Sequence, residues 1–168
     1  KRKLYYFDNN ATTRVAPEVI EAMLPYLTDQ WGNPSSAYSF GNGVVKAISQ
    51  AREQVAGLIG ADPREIVFTS CGTESNNTAI HSALTFNPSK RHVLITAVEH
   101  SANIKYGKFL ESQGYNVTYF PVEPDGSLDI HLLAKTIRPD TAIVSVMWAN
   151  NETRVLFPIA EIVPICCT

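Results

Sequence analysis

Cysteine is scarce in this chain. There are three, Cys71, Cys166 and Cys167, and two of them are adjacent. That excludes a disulfide framework, and no Cys or His spacing makes a zinc site. Charge of one sign is also missing: 14 Lys and Arg against 16 Asp and Glu leave a net charge of −2. No basic excess offers itself to nucleic acid, and no run of like charge forms a tail. The longest apolar runs, such as Ala142 to Ala149, fall short of the roughly 20 residues a bilayer span needs. The basic start Lys1 to Lys3 leads into Leu-Tyr-Tyr-Phe-Asp, too brief an apolar stretch for a signal peptide. These absences describe a soluble, cytoplasmic chain with no nucleic-acid or membrane partner. Its 168 residues, 45% of them hydrophobic, suit one domain or a piece of one.

What is present is an alternation of helical patterns and short apolar strands, the signature of a mainly parallel sheet flanked by helices. Pro17 opens a first helix at a position where its missing N–H costs nothing. Val19, Ile20, Met23, Leu24 and Leu27 then share one stripe. A second helix carries Val44, Ile48, Val55, Leu58 and Ile59 and is closed by Gly60. Further helices are expected over Glu74 to Leu84, Ser101 to Ser112 (closed by Gly114), and Leu128 to Ile137 (closed by Pro139), with another beginning after Pro158. Strands are expected over Glu65 to Thr69, His92 to Thr96, Val117 to Pro121 and Thr141 to Trp148. Their Val, Ile and Leu show little polar alternation, as when both faces are covered.

Ligands of such sheets bind beyond the carboxyl ends of the strands, and three segments there carry polar groups. In Thr69-Ser70-Cys71-Gly72-Thr73-Glu74-Ser75-Asn76 a strand runs through a small turn into a helix start, whose free N–H groups and dipole suit a phosphate. Gly72 permits close approach and Thr73 adds a hydroxyl. Simple capping by Ser70 or Thr73 is the competing reading. In Val98-Glu99-His100 the imidazole can stack on a ring or relay a proton, or merely sit at a helix start. In Trp148-Ala149-Asn150-Asn151-Glu152-Thr153 a carboxamide can donate to a phenolate oxygen, or the Asn pair can serve a turn. His81, His92 and His131 fall inside element patterns and read as structural. Cys71, near a helix start, is either a reactive thiol or a small packing residue. Gly41-Asn42-Gly43-Val44-Val45-Lys46 is neither a dinucleotide fingerprint nor a Walker loop.

These segments, with Asp8-Asn9-Asn10-Ala11-Thr12-Thr13, Gly32-Asn33-Pro34-Ser35-Ser36 and Val144 to Met147, resemble in order and spacing the cysteine desulfurases, and look most like their nitrogen-fixation-associated branch. The resemblance runs to about Ile162. It implies a class V aminotransferase-type protein, dependent on pyridoxal 5'-phosphate, with the fold-type I transferase architecture. This chain would supply an incomplete N-terminal portion of it: residues 1–14 as a segment of the small domain and active-site mouth, 15–168 as a partial cofactor-binding large domain. It implies L-cysteine as substrate, L-alanine and an enzyme-bound persulfide as products, a homodimer for the full-length form, and an iron–sulfur scaffold protein as sulfur acceptor. By the same resemblance Gly72 and Thr73 hold the cofactor phosphate. His100 stacks on its ring and assists proton transfer, and Asn151 bonds its phenolic oxygen.

The family's Schiff-base lysine, pyridine-pairing aspartate and nucleophilic cysteine all lie in its second half. None of Lys1, Lys3, Lys46, Lys90, Lys105, Lys108 and Lys135 stands in the family's Ser-x-His-Lys setting, and Cys71, Cys166 and Cys167 match no nucleophile. The expectation is a truncated chain, inactive alone, or a non-catalytic remnant or interaction partner; another class V enzyme such as selenocysteine lyase is the remaining alternative. The family's strand order makes neighbours of Val117 to Pro121, His92 to Thr96 and Thr141 to Trp148, and leaves Glu65 to Thr69 an orphan. Bare strand edges predict instability or aggregation without a second polypeptide. Two residues depart from the pattern: Tyr38 replaces a His, and Arg154 replaces a Gly after Asn-Asn-Glu-Thr, which strains the turn if a positive φ is required there.

Overall fold

The computed structural model describes residues 5–166. Lys1 to Lys3 and Cys167, on which two of the expectations above rest, lie outside the described residues. The chain forms two compact units, Lys1–Phe68 and Thr69–Thr168.

The first unit is helical. Helix α1 spans Pro17–Thr28 with Pro17 in its first turn, and α2 spans Asn42–Ile59. Gly60, at φ +69°, takes the left-handed conformation that ends α2. Short 3₁₀ turns occupy Ser39–Gly41 and Pro63–Glu65, the latter held by a capping box in which Asp62 and Glu65 exchange side-chain and backbone bonds. The Arg52 guanidinium donates to the Ile66 carbonyl and lies 4.9 Å from the centre of the Phe68 ring. The apolar stripe of α1 is real but uncovered: Val19, Ile20, Met23, Leu24 and Leu27 are all exposed.

One expected strand fails here. Glu65 to Thr69 forms no ladder; Glu65 ends a 3₁₀ turn and residues 66–69 belong to no strand. A strand exists only through its partner's N–H and C=O groups, and no described strand lies alongside this one. The orphan expected from the family's strand order is therefore an unpaired segment.

The second unit is an α/β layer structure. Its elements are α3 (Gly72–Phe86), β1 (His92–Thr96), α4 (Ser101–Ser112), β2 (Asn116–Phe120), α5 (Ile130–Thr136), β3 (Thr141–Ser145) and α6 (Ile159–Cys166). The strands pair in parallel in the order β2-β1-β3. Thr141 to Trp148 ends its ladder early at Ser145, because the chain beyond turns away to close a loop. The helix expected over Leu128 to Ile137 is shorter, because Asp129 caps it by accepting from the Leu132 N–H at 2.9 Å.

Every residue of β1 is buried. The β1-to-β2 and β2-to-β3 connections run in opposite directions across the sheet, so right-handed crossovers put their helices on opposite faces. Val93 and Ile95 accordingly pack with Ile80, Leu84 and Leu110 of α3 and α4. Leu94 packs with Phe120, Leu128, Leu133, Phe157 and Ile162 on the other face. Gly107 lets α4 settle onto the sheet: a Cβ there would stand 2.9 Å from both Ile95 Cδ1 and the Tyr119 hydroxyl. At the amino ends of the strands, His92 is fully buried and its ring nitrogens pair with the hydroxyls of Thr141 (2.7 Å) and Thr118 (2.9 Å). That burial, aided by the Arg138 charge, lowers the pKa of His92. His81 bonds the Tyr106 hydroxyl at 3.2 Å. Both fit the structural role read for them.

Candidate functional site

The direction of chain travel reverses between β1 and β3, since β1 leads away to β2 and the chain returns on its other side. Crevices at such switch points, beyond the carboxyl ends of the strands, are where open α/β sheets bind ligands. A hollow of about 470 Å³ lies there, lined by Ala97 to Ser101 and Asn150 to Thr153, within the size range of small-molecule sites. His100 and Asn151 share this hollow. Gly72 and Thr73 do not line it; they stand at the start of α3 in the same unit. No lysine lines it. A second hollow, of about 430 Å³ beside Lys90, Arg138 and Thr141, lies at the amino ends of the strands, the wrong end for this rule.

His100 is the N-cap of α4, and its Nδ1 accepts from the Ala102 N–H at 3.2 Å. In the neutral ring the proton then sits on Nε2, leaving that nitrogen as a donor. The helix-start role weighed from sequence is thus its observed local role, and it orients the ring rather than consuming it.

The two adjacent asparagines divide their work. Asn150 is buried: its Nδ2 donates to the Val98 carbonyl at 3.1 Å, and its Oδ1 accepts from the N–H groups of Glu152 (2.9 Å) and Thr153 (2.8 Å). It therefore ties the loop after β3 to the loop after β1. Asn151 is left exposed at the hollow. Arg154 carries a φ of 64°, the one non-glycine positive φ among the described residues, so the strain anticipated at this family glycine position is present.

At the start of α3, Cys71 is the N-cap and makes no side-chain cap hydrogen bond. The capping by Ser70 weighed from sequence is also not the arrangement found: Ser70 N–H and Oγ both bond Glu74 Oε2, each at 2.6 Å. The exposed Cys71 thiol has a lowered pKa, chiefly from the nearby Glu74 N–H and then from the Ser70 hydroxyl. A Cβ on Gly72 would meet nothing within 4 Å. An exposed helix start with open space at its first residue fits an anionic phosphate, with the Glu74 carboxylate turned back onto Ser70.

In the sequence, Glu99, Asn76 and Ser145 stood within quoted motifs without a role, and Asn103 was not singled out. The structure joins all four. Asn103 Nδ2 donates to Glu99 Oε2 (3.0 Å) and to Ser145 Oγ (3.1 Å), while its Oδ1 accepts from Asn76 Nδ2 (2.9 Å). The Ser145 hydroxyl donates to Glu99 Oε1 at 3.4 Å. Burial raises the pKa of Glu99, opposed by donors that include the His100 and Met147 amides. The only signal in the sequence was a carboxylate just before the expected helix Ser101 to Ser112, four residues ahead of Asn103.

The sequence profile of the family described as Aminotransferase class-V matches residues 5–167. The chain belongs to the class-V aminotransferases. Within that family it is 57% identical over 157 residues to a cysteine desulfurase of Trichormus azollae, covering 94% of this chain and 39% of the relative. To the cysteine desulfurase NifS of Azotobacter vinelandii it is 54% identical, over 93% of this chain and 39% of the relative. A solved structure titled SspA in complex with cysteine superposes with a TM-score of 0.90 at 38% identity, over 96% of this chain and 47% of that one. This class-V aminotransferase chain thus spans about two-fifths of the length of the curated relatives it matches. The α/β fold, a parallel three-stranded sheet between helices, is that of these neighbours.

Proposed function

We propose that this chain is the N-terminal part of a pyridoxal 5'-phosphate-dependent cysteine desulfurase, a transferase that takes sulfur from L-cysteine and releases L-alanine. The observation that carries the reading is the placement of His100 and Asn151 in one hollow at the switch point of the sheet. Its relatives carry that name, and the neighbour holding cysteine supports the substrate.

The cofactor, when bound, supplies an electron sink for the substrate's reacting bonds. The chain's own residues bind and orient. The first amides of α3, with Gly72 and the Thr73 hydroxyl, hold the phosphate through the positive end of the helix dipole. His100, its ring fixed by the Ala102 amide, would face the cofactor ring and offer Nε2 for proton movement. Asn151 donates its side-chain amide to the phenolic oxygen. A homodimer, an iron–sulfur scaffold as sulfur acceptor and a cytoplasmic location complete the reading. The 168-residue chain by itself has no lysine in the family's setting and does not turn over.

The test is an absorbance titration of the chain with pyridoxal phosphate. Reversible binding is expected, with no product trapped by borohydride and no alanine released from cysteine. Asn151→Ala weakens binding about 10-fold, which corresponds to about 1.4 kcal/mol, and His100→Ala weakens it as well. No binding by the unsubstituted chain overturns the reading and leaves a non-catalytic interaction protein. A borohydride-trapped lysine with alanine release overturns the claim that this chain is inactive alone.

A further inference from the structure

Glu99, Asn103 and Ser145 close a ring of hydrogen bonds on one another. Asn103 donates to both of the others, and Ser145 donates to Glu99. The backbone amides of His100 and Met147 also favour the charged form of the Glu99 carboxylate. It therefore faces four donors and has none of its own to give. Each donor comes from a different part of the fold: the loop after β1, the first turn of α4, the last residue of β3, and the loop beyond it. Asn103, itself buried, passes the connection to α3 through Asn76. All of the side chain's polar capacity is used, as buried networks require.

We infer that Glu99 is the positioning residue of the hollow, its carboxylate locking the carboxyl ends of β1 and β3 and the starts of α3 and α4 into one arrangement. The inference rests on the cofactor site proposed above. The loop that carries His100 is held by this carboxylate through Asn103 and Ser145, while the His100 ring is held by the Ala102 amide. The start of α3, where Gly72 and Thr73 stand, is brought into the same framework by Asn76, although it does not line the hollow. The β1–β3 ladder ends at Ile95 and Ser145, and beyond it this ring fixes the crevice together with the Asn150 bond to the Val98 carbonyl. Burial raises the pKa of Glu99. The donors on both oxygens work against that burial cost by favouring the charged form.

Glu99→Gln is the direct probe. It keeps the shape but presents an NH₂ to a place already crowded with donors, so at least one donor pair must part. The full chain is compared with Glu99→Gln, Asn103→Ala and, as a control for general destabilisation, Leu133→Ala on the opposite face of the sheet. Two measurements are made: amide hydrogen exchange of His100 relative to Leu94 without ligand, and the Kd for pyridoxal phosphate. Glu99→Gln and Asn103→Ala speed His100 exchange at least about 10-fold over that of Leu94, because the loop that carries His100 loses its tie to Asn103 and Ser145 while β1 stays intact. They raise the Kd by about 10-fold. Leu133→Ala moves both amides together. An unchanged exchange ratio in Glu99→Gln, or the same change of ratio in Leu133→Ala, overturns the positioning role. Should Glu99→Gln not fold, Ser145→Ala removes one donor only and must still shift the ratio, and failure to do so overturns it equally. If the unsubstituted chain has no affinity for pyridoxal phosphate, the cofactor reading fails while the exchange ratio still decides the brace.

Discussion

The two units of the chain handle apolar surface in opposite ways. In Thr69–Thr168 the central strand β1 is buried along its whole length, with packed clusters above and below it. In Lys1–Phe68 the helix stripe of α1 is regular, yet Leu24 is 54% and Leu27 71% exposed, and no residue of α1 is buried. Periodicity therefore marks the face a helix can bury, not whether its own unit covers it. The second unit owns a core; the first owns the pattern for one.

The sharpest way to break this contrast is to remove side chains from each unit. Leu133→Ala, at 0% exposure, should lose about 2–5 kcal/mol of unfolding free energy, the range for a buried leucine. The reading is a urea titration followed by near-ultraviolet circular dichroism. Acid gives the next effect. Folding lowers the His92 pKa below its ordinary 6.5, so the neutral form is favoured and its stability is fully present above that value. That stability is lost as pH falls through the folded value. All four histidines, 81, 92, 100 and 131, lie in the second unit. In the first, Asp62 is held below its ordinary 3.8 by Arg64, so its contribution survives until the pH drops under that carboxylate range. Amide exchange at about pH 7.5 and about pH 5 should show the sheet loosening first, with the Asp62 turn unchanged. An equal response in both units refutes this.

Arg154→Gly, which relieves the φ of 64°, should raise stability by about 1 kcal/mol, seen as a higher Tm. The smallest effect belongs to the uncovered stripe: Leu24→Ala should change unfolding free energy by no more than about 0.5 kcal/mol. A loss comparable to Leu133→Ala would show that α1 is covered after all.

Local chemistry made much of the second unit legible. His92 to Thr96 and Ser101 to Ser112 are the observed β1 and α4, because an apolar run and a capped stripe were both complete within a few residues. The neighbour order of three strands followed from the family likeness. Glu65 to Thr69 misled because β-propensity says nothing about where a partner comes from. Thr141 to Trp148 was overlong because the Asn150 turn, not hydrophobicity, sets where β3 ends. That His100 and Asn151 share one hollow could be read from their positions after strands. Glu99 could not, because a half-buried carboxylate bonded to Asn103 of α4 and Ser145 of β3 exists only once those segments have met.

The row of Thr118, buried His92 and buried Thr141 has one more implication. It stitches the three strands together at the end remote from the hollow, by side chains rather than by the backbone. With Glu99 stitching the opposite end, the gap between β1 and β3 is set like the width of a laced seam, and neither strand can swing without undoing a knot. A ligand entering that seam meets an opening already cut to size.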